Sequence, residues 1–164
     1  MSLADELLEE ARVSIDGEDP NQAKLRRSIS TSYYAVFHSL VDAASHMIIS
    51  NPEDLELRAA VRRTFVHARM ADACRAFLRD RHKLSGLLTA PTAPELRELC
   101  QAFLYLQETR HRADYDTSVQ FSKDDAIRAV IKALDCFVFW ARLSRTEDAR
   151  VFLVALLLLK DLRD

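Results

Sequence analysis

Glycine occurs only twice in this chain, at Gly17 and Gly86, and apolar residues nowhere alternate with polar ones for long enough to make a strand. A sheet needs period-two segments joined by turn chemistry, and this sequence supplies almost none of either. What repeats from end to end is the spacing of an amphipathic helix. The expected fold is therefore all-α: an antiparallel up-and-down bundle of about five to six helices with short connections. Residues 1–164 are expected to form a single helical domain, since a chain of this length buries roughly two-thirds of its unfolded surface without disulfides or a structural metal.

The helices can be placed from their punctuation. Ser2 with Asp5 resembles a capping box, opening a first helix to about Ile15 with Leu3, Leu7, Leu8, Ala11 and Ile15 on one stripe. The segment DGEDPN breaks it. A long second helix is expected from about Pro20 to Ile49, capped by Asp19, with Ile29, Tyr33, Val36, Phe37, Leu40, Val41, Ala44 and Ile48 inward. Asn51, Pro52, Glu53 and Asp54 restart the pattern, which continues to about Arg81; Lys83 to Pro94 reads as a loop.

Helix resumes at Pro94 and runs through Leu96, Leu99, Cys100, Phe103, Leu106 and Gln107 into the polar stretch ETRHRADYD. Ser122 with Asp125 caps the next helix, whose apolar residues Ile127, Val130, Ile131, Leu134, Val138 and Trp140 are expected to point inward. Ser144 with Glu147 marks a last helix, residues 146–162, apolar nearly all round at VFLVALLLL. Such a helix either plugs the bundle or meets another subunit, and Leu156 would then lie at the contact.

Charge and cysteine content exclude several classes. The net charge of -2 points to neither a DNA-coating protein nor an acidic tail. Locally the balance is uneven: the first twenty residues are acidic, while Arg58, Arg62, Arg63, Arg69, Arg75, Arg79, Arg81 and Lys83 make a basic segment. That segment either follows a phosphate backbone or is a solvated face paired with the acidic first helix. Cys74, Cys100 and Cys136 lie in apolar helical patterns without a close pair and read as buried free thiols, fitting a reducing cytoplasm. No apolar run reaches the roughly 20 residues of a membrane span, so a cytoplasmic protein with no membrane partner is expected. His46, His67 and His82 share no convincing metal-ligand spacing, and no glycine-rich phosphate loop is present, so neither a metal nor a cofactor is called for.

The chemistry is concentrated in Glu108 to Asp116. One reading makes Arg110, Asp114 and Tyr115 a hydrogen-bonded knot closing a helix C-terminus, with Arg110 or Arg112 on the last carbonyls. Another has Arg110, Arg112 and His111 present donors to a nucleotide or RNA phosphate, which requires Arg110 to reach an open cleft. Tyr34 and His38, one turn apart on the second helix, are further ligand-binding candidates beside Asp114.

The helix LRRSISTSYYAVFHSLVDAA, then ETRHRADYD, then FSKDDAIRAVIKALDCFV resemble, in order and spacing over about residues 20–142, the HEPN family, especially its bacterial and archaeal branch with an R-x-x-ADY element. The resemblance implies a helical bundle, commonly a homodimer, of the kind found among toxins of toxin–antitoxin pairs, RNA-cleaving enzymes and partners of small nucleotidyltransferases. Catalytic members carry R-x4-6-H at this place. Here Arg110 has the arginine position and Tyr115 stands where histidine is expected, a phenol with pKa around 10 and hence a poor base at neutral pH. His111, adjacent to Arg110, points about 100° away on a helix. The reading is therefore a nucleotide- or RNA-associated binding module with a nucleotidyltransferase or antitoxin partner. Its alternatives are a metal-independent endoribonuclease using Arg110 with Tyr115 or His111, and a non-catalytic protein-interaction scaffold. Two further R-x4-6-H spacings, Arg62 to His67 and Arg75 to His82, are at the frequency chance provides.

Overall fold

The computed structural model describes residues 1–17, 20–79, 84–88 and 92–158, and these form an all-helical chain. Seven α-helices occur among them: α1 (Leu3–Val13), α2 (Gln22–Ile48), α3 (Leu55–Arg62), α4 (His67–Leu78), α5 (Pro94–Tyr115), α6 (Lys123–Leu143) and α7 (Glu147–Leu158), with a single 3-10 turn at Ser85–Leu87. The third helical stretch divides into α3 and α4 because the chain turns extended at Val66 (φ -122°, ψ 127°). The expected cap Asp19, with Arg81, His82 and Lys83 and the end of the last helix beyond Leu158, lies outside the described residues.

Local chemistry explains most helix ends. Ser2 and Asp5 close a reciprocal box at the start of α1, and Ser122 and Asp125 do the same before α6, with N–H to oxygen distances of 2.9 and 3.1 Å. Hydrogen bonds from the Ser2 and Ser122 backbone hold both carboxyls below the usual aspartate range. Two caps differ from expectation. Asn21 accepts from Lys24 N at the start of α2, and Thr146, not Ser144, accepts from Ala149 N before α7. Ser144 cannot serve because its own N–H still completes the last turn of α6, bonding Trp140 O at 2.8 Å.

The chain forms two compact units. One comprises Met1–His38 and Ala102–Val138, the other Ser39–Gln101 and Phe139–Asp164. In the first, the core gathers Ile29, Tyr33 and Val36 of α2, Phe103 and Leu106 of α5, and Ala126, Ala129, Val130 and Ala133 of α6. Tyr33 and Phe103 meet with ring centroids 5.5 Å apart, and Ser28 ties α2 to α1 by donating to Ala11 O.

In the second unit α4 packs on α7, with Phe77 and Phe152 edge to face at 5.2 Å. Phe152, Leu153, Ala155 and Leu156 are buried within the chain's own fold, so the apolar last helix acts as a plug and Leu156 is not on an outer face. Cys74, Cys100 and Cys136 are buried free thiols.

Two apolar stripes face otherwise than the spacing suggests. On α6, Ile131, Leu134 and Val138 are 50, 39 and 49% exposed, and the inward face is Ala126, Ala129, Val130, Ala133 and Cys136. On α1 the buried residues are Ala4 and Ala11, while Leu3 is exposed. Both helices turn small side chains toward their neighbours, which lets backbones approach closely and keep the dense packing of an interior. No described helix is long and apolar enough to cross a membrane.

Candidate functional site

Three helix C-termini are closed by arginines from other helices. Arg26 of α2 donates to Ala113 O and Asp116 O at 2.7 and 3.0 Å and to Val119 O, collecting the carbonyls where α5 ends. Gln22 assists by bonding both the N–H and the carbonyl of Phe121, at 3.0 and 2.7 Å. Arg58 of α3 bonds Asn51 O and Ile49 O at 2.8 and 3.2 Å where α2 ends. Arg97 of α5 bonds Leu78 O at 2.9 Å where α4 ends. Carbonyls at a helix C-terminus carry partial negative charge, so a guanidinium fork satisfies orphan acceptors and the dipole together.

The expectation that Arg110 or Arg112 caps α5 is thus corrected. Arg26 occupies that place because it reaches in from outside the helix, whereas side chains of the last turn lean back toward the helix N-terminus.

Arg110 is consequently left for side-chain partners. The last turn of α5 brings it against α2, where its Nη2 donates to the Tyr34 hydroxyl. Asp114, one turn on, approaches Nε to 2.6 Å from off the N–H direction, and that N–H has no hydrogen-bond acceptor among the described residues. The guanidinium carbon lies 5.1, 5.5 and 5.9 Å from the ring centres of Tyr34, Tyr115 and Tyr33, a three-sided aromatic cage. The Arg110 and Asp114 side chains are 15 and 24% exposed.

The arginine therefore does not project into an open cleft. It is held largely out of solvent, because cation–aromatic contact and the Asp114 charge both favour this position. Burial works against the guanidinium charge, but the Asp114 carboxylate and then the Tyr34 hydroxyl outweigh it and raise the pKa above its ordinary value.

The other candidate residues divide around this centre. Tyr115 is exposed and forms one wall of the cage, and the His111 ring lies against it at 5.0 Å. His38 stacks on Tyr34 at 6.3 Å from the α2 side; burial lowers its pKa, so the imidazole favours the neutral form. Arg112 is not brought to Arg110. It turns to the other side of α5, 5.9 Å from the centre of Phe121. Tyr33 belongs to the cage although its spacing marks it only as core.

Three arginines of the basic segment have partners within the fold. Arg58 is 5% exposed in its capping role, Arg62 pairs with Asp42, and Arg75 pairs with Asp72 at 3.0 Å. Acidic α1 finds its counterions at Arg12 and Arg27. Among known proteins, no family model, no curated protein and no solved structure matches this chain.

Proposed function

We propose that this chain is a HEPN-like helical bundle that binds the phosphate of a nucleotide or of RNA at Arg110, works as a homodimer, and is half of a toxin–antitoxin-type pair with a nucleotidyltransferase or antitoxin. The observation that carries this reading is the bonding of Arg110. It is a cation held in place by a tyrosine hydroxyl and aromatic faces, with a counterion that is a movable side chain. Among the described residues no open cleft leads to Arg110, so a phosphate reaches it only by exchanging with the Asp114 carboxylate, since both offer oxygens to the same guanidinium. Tyr115 and His111, exposed beside it, offer ring faces on which a base stacks.

Binding of single-stranded RNA or a mononucleotide should weaken linearly in log–log salt titration. Arg110→Ala should weaken it by roughly 10-fold or more, the cost of one charge-assisted pair. Asp114→Asn, which removes the competing carboxylate, should strengthen it. Unchanged affinity in Arg110→Ala refutes the site.

A second reading, metal-independent RNA cleavage, is favoured by one feature: the Tyr115 ring neighbours both the Arg110 guanidinium, at 5.5 Å, and the His111 ring, at 5.0 Å, so a cation, a phenol and an imidazole share one patch. It predicts cleavage of single-stranded RNA in EDTA that is lost in Arg110→Ala and in His111→Ala. RNA left intact by the unaltered protein removes this reading and leaves the binding one standing.

A further inference from the structure

Ile127, Ile131, Leu134 and Val138 follow one another along α6 at alternating intervals of four and three residues, the spacing of a coiled-coil seam. The last three are large, apolar and substantially exposed. The seam lies opposite the alanine face that α6 turns into the core, so no rotation of the helix could bury both. At its start it runs into a groove of about 410 Å³ lined by Val13, Ile15, Ile127 and Val130 together with the charged Glu9, Arg12, Asp16 and Lys123. An apolar track thus runs along three turns of α6 and ends in a groove of mixed polarity beside the end of α1.

We propose that this track is the seat of a second copy of the chain, its α6 lying antiparallel to the first. This rests on the homodimer in the reading above and specifies its surface. A seam of this kind is self-complementary: with the helices antiparallel, Ile131 meets the partner's Leu134 and Ile127 meets the partner's Val138 at the groove, and each contact is made twice.

The charges choose the direction. Arg128 and Asp135 both lie on the same flank of the seam, each immediately after a seam residue. In an antiparallel pair that flank faces its own copy, so Arg128 meets the partner's Asp135 and Asp135 meets the partner's Arg128. A parallel pair would set Arg128 beside the partner's Lys123, cation against cation, and Asp135 beside the partner's Val130. Electrostatics therefore supports one arrangement and opposes the other.

The unaltered protein should sediment as a dimer at micromolar concentration. Leu134→Arg, on a face that the monomer leaves in water, should weaken the dimer by roughly 100-fold, as expected for a charge placed in a desolvated contact. Arg128→Asp and Asp135→Arg should each weaken it, and the two together should restore it, because the pair is reversed and not removed. A mixture of Ile131→Cys and Leu134→Cys chains should form the mixed disulfide under mild oxidation, whereas Ile131→Cys alone should not cross-link to itself.

A monomer at all concentrations overturns both this proposal and the homodimer. A dimer indifferent to Leu134→Arg and to the charge exchange overturns only the surface, and self-cross-linking of Ile131→Cys overturns the antiparallel direction. Each of these results is independent of whether RNA or nucleotide binds at Arg110.

Discussion

Arg58 and Arg110 are both arginines drawn out of solvent, and they are held by different kinds of atoms. Arg58 bonds main-chain carbonyls at Ile49 and Asn51 and approaches the His46 imidazole at 3.2 Å. Those acceptors are fixed by the backbone. Arg110 bonds a phenol and a carboxylate that rotate about side-chain torsions and can release it. The contrast teaches that burial alone does not separate mortar from site. A guanidinium whose partners cannot move is structural, while one whose partners can move is open to exchange with a ligand.

This comparison is tested most strongly at Arg58. Arg58→Ala should destabilise the protein by about 3 kcal/mol in denaturant melts, since buried carbonyls lose a charged donor, and should leave phosphate affinity unchanged once folded. Arg26→Ala should follow at about 2 kcal/mol, because three carbonyls lose their fork but water reaches part of the site. Arg110→Ala should cost only about 1 kcal/mol, the worth of a partly solvated ion pair, while it abolishes most binding. Were Arg110→Ala to cost as much as Arg58→Ala without affecting affinity, the distinction would fail.

Smaller effects sharpen the same contrast. Tyr34→Phe removes one acceptor from Arg110 and should cost about 0.5 kcal/mol in stability. The smallest expected effect is a slope in pH. Burial depresses the His38 pKa from 6.5, so the unfolded chain binds a proton before the folded one does. Stability from this group is therefore complete above pH 6.5 and declines as pH falls through the depressed folded value. Melts between pH 7.5 and 5.5 should show this decline and lose it in His38→Phe. The carboxyls of Asp5, Asp116 and Asp125, all held low by serine hydrogen bonds, act in a separate window below their ordinary 3.8.

Much of the helical reading was legible because it depends on neighbours in sequence. Both Ser–Asp boxes lie within one turn of chain, and the apolar stripe of α2 is buried from Ile29 to Ala44 as its spacing requires, though Ile48, expected on the same stripe, is 42% exposed. The candidate site was legible in part. Arg110 and Asp114 meet because residues four apart share a helix face, whereas Arg112, two away, points elsewhere. Tyr34 and His38 could be named from their one-turn spacing, but nothing in sequence says that Tyr34 receives the guanidinium 76 residues later.

By itself, then, the sequence determined helix content, the two Ser–Asp caps and the polar cluster at the end of α5, all products of interactions within a few residues. Tertiary structure decided which face of α6 is the inside, which arginine closes α5, and whether the last helix is plug or contact. Size and hydropathy favour Ile131, Leu134 and Val138 as core, but close helix packing selected Ala126, Ala129 and Ala133, because interiors reward the fit of neighbouring surfaces over the oiliness of any one residue. Arg26 and Arg110 likewise carry the same charge, and only the distance from each to the α5 carbonyls assigned one to holding the fold and left the other available for a ligand.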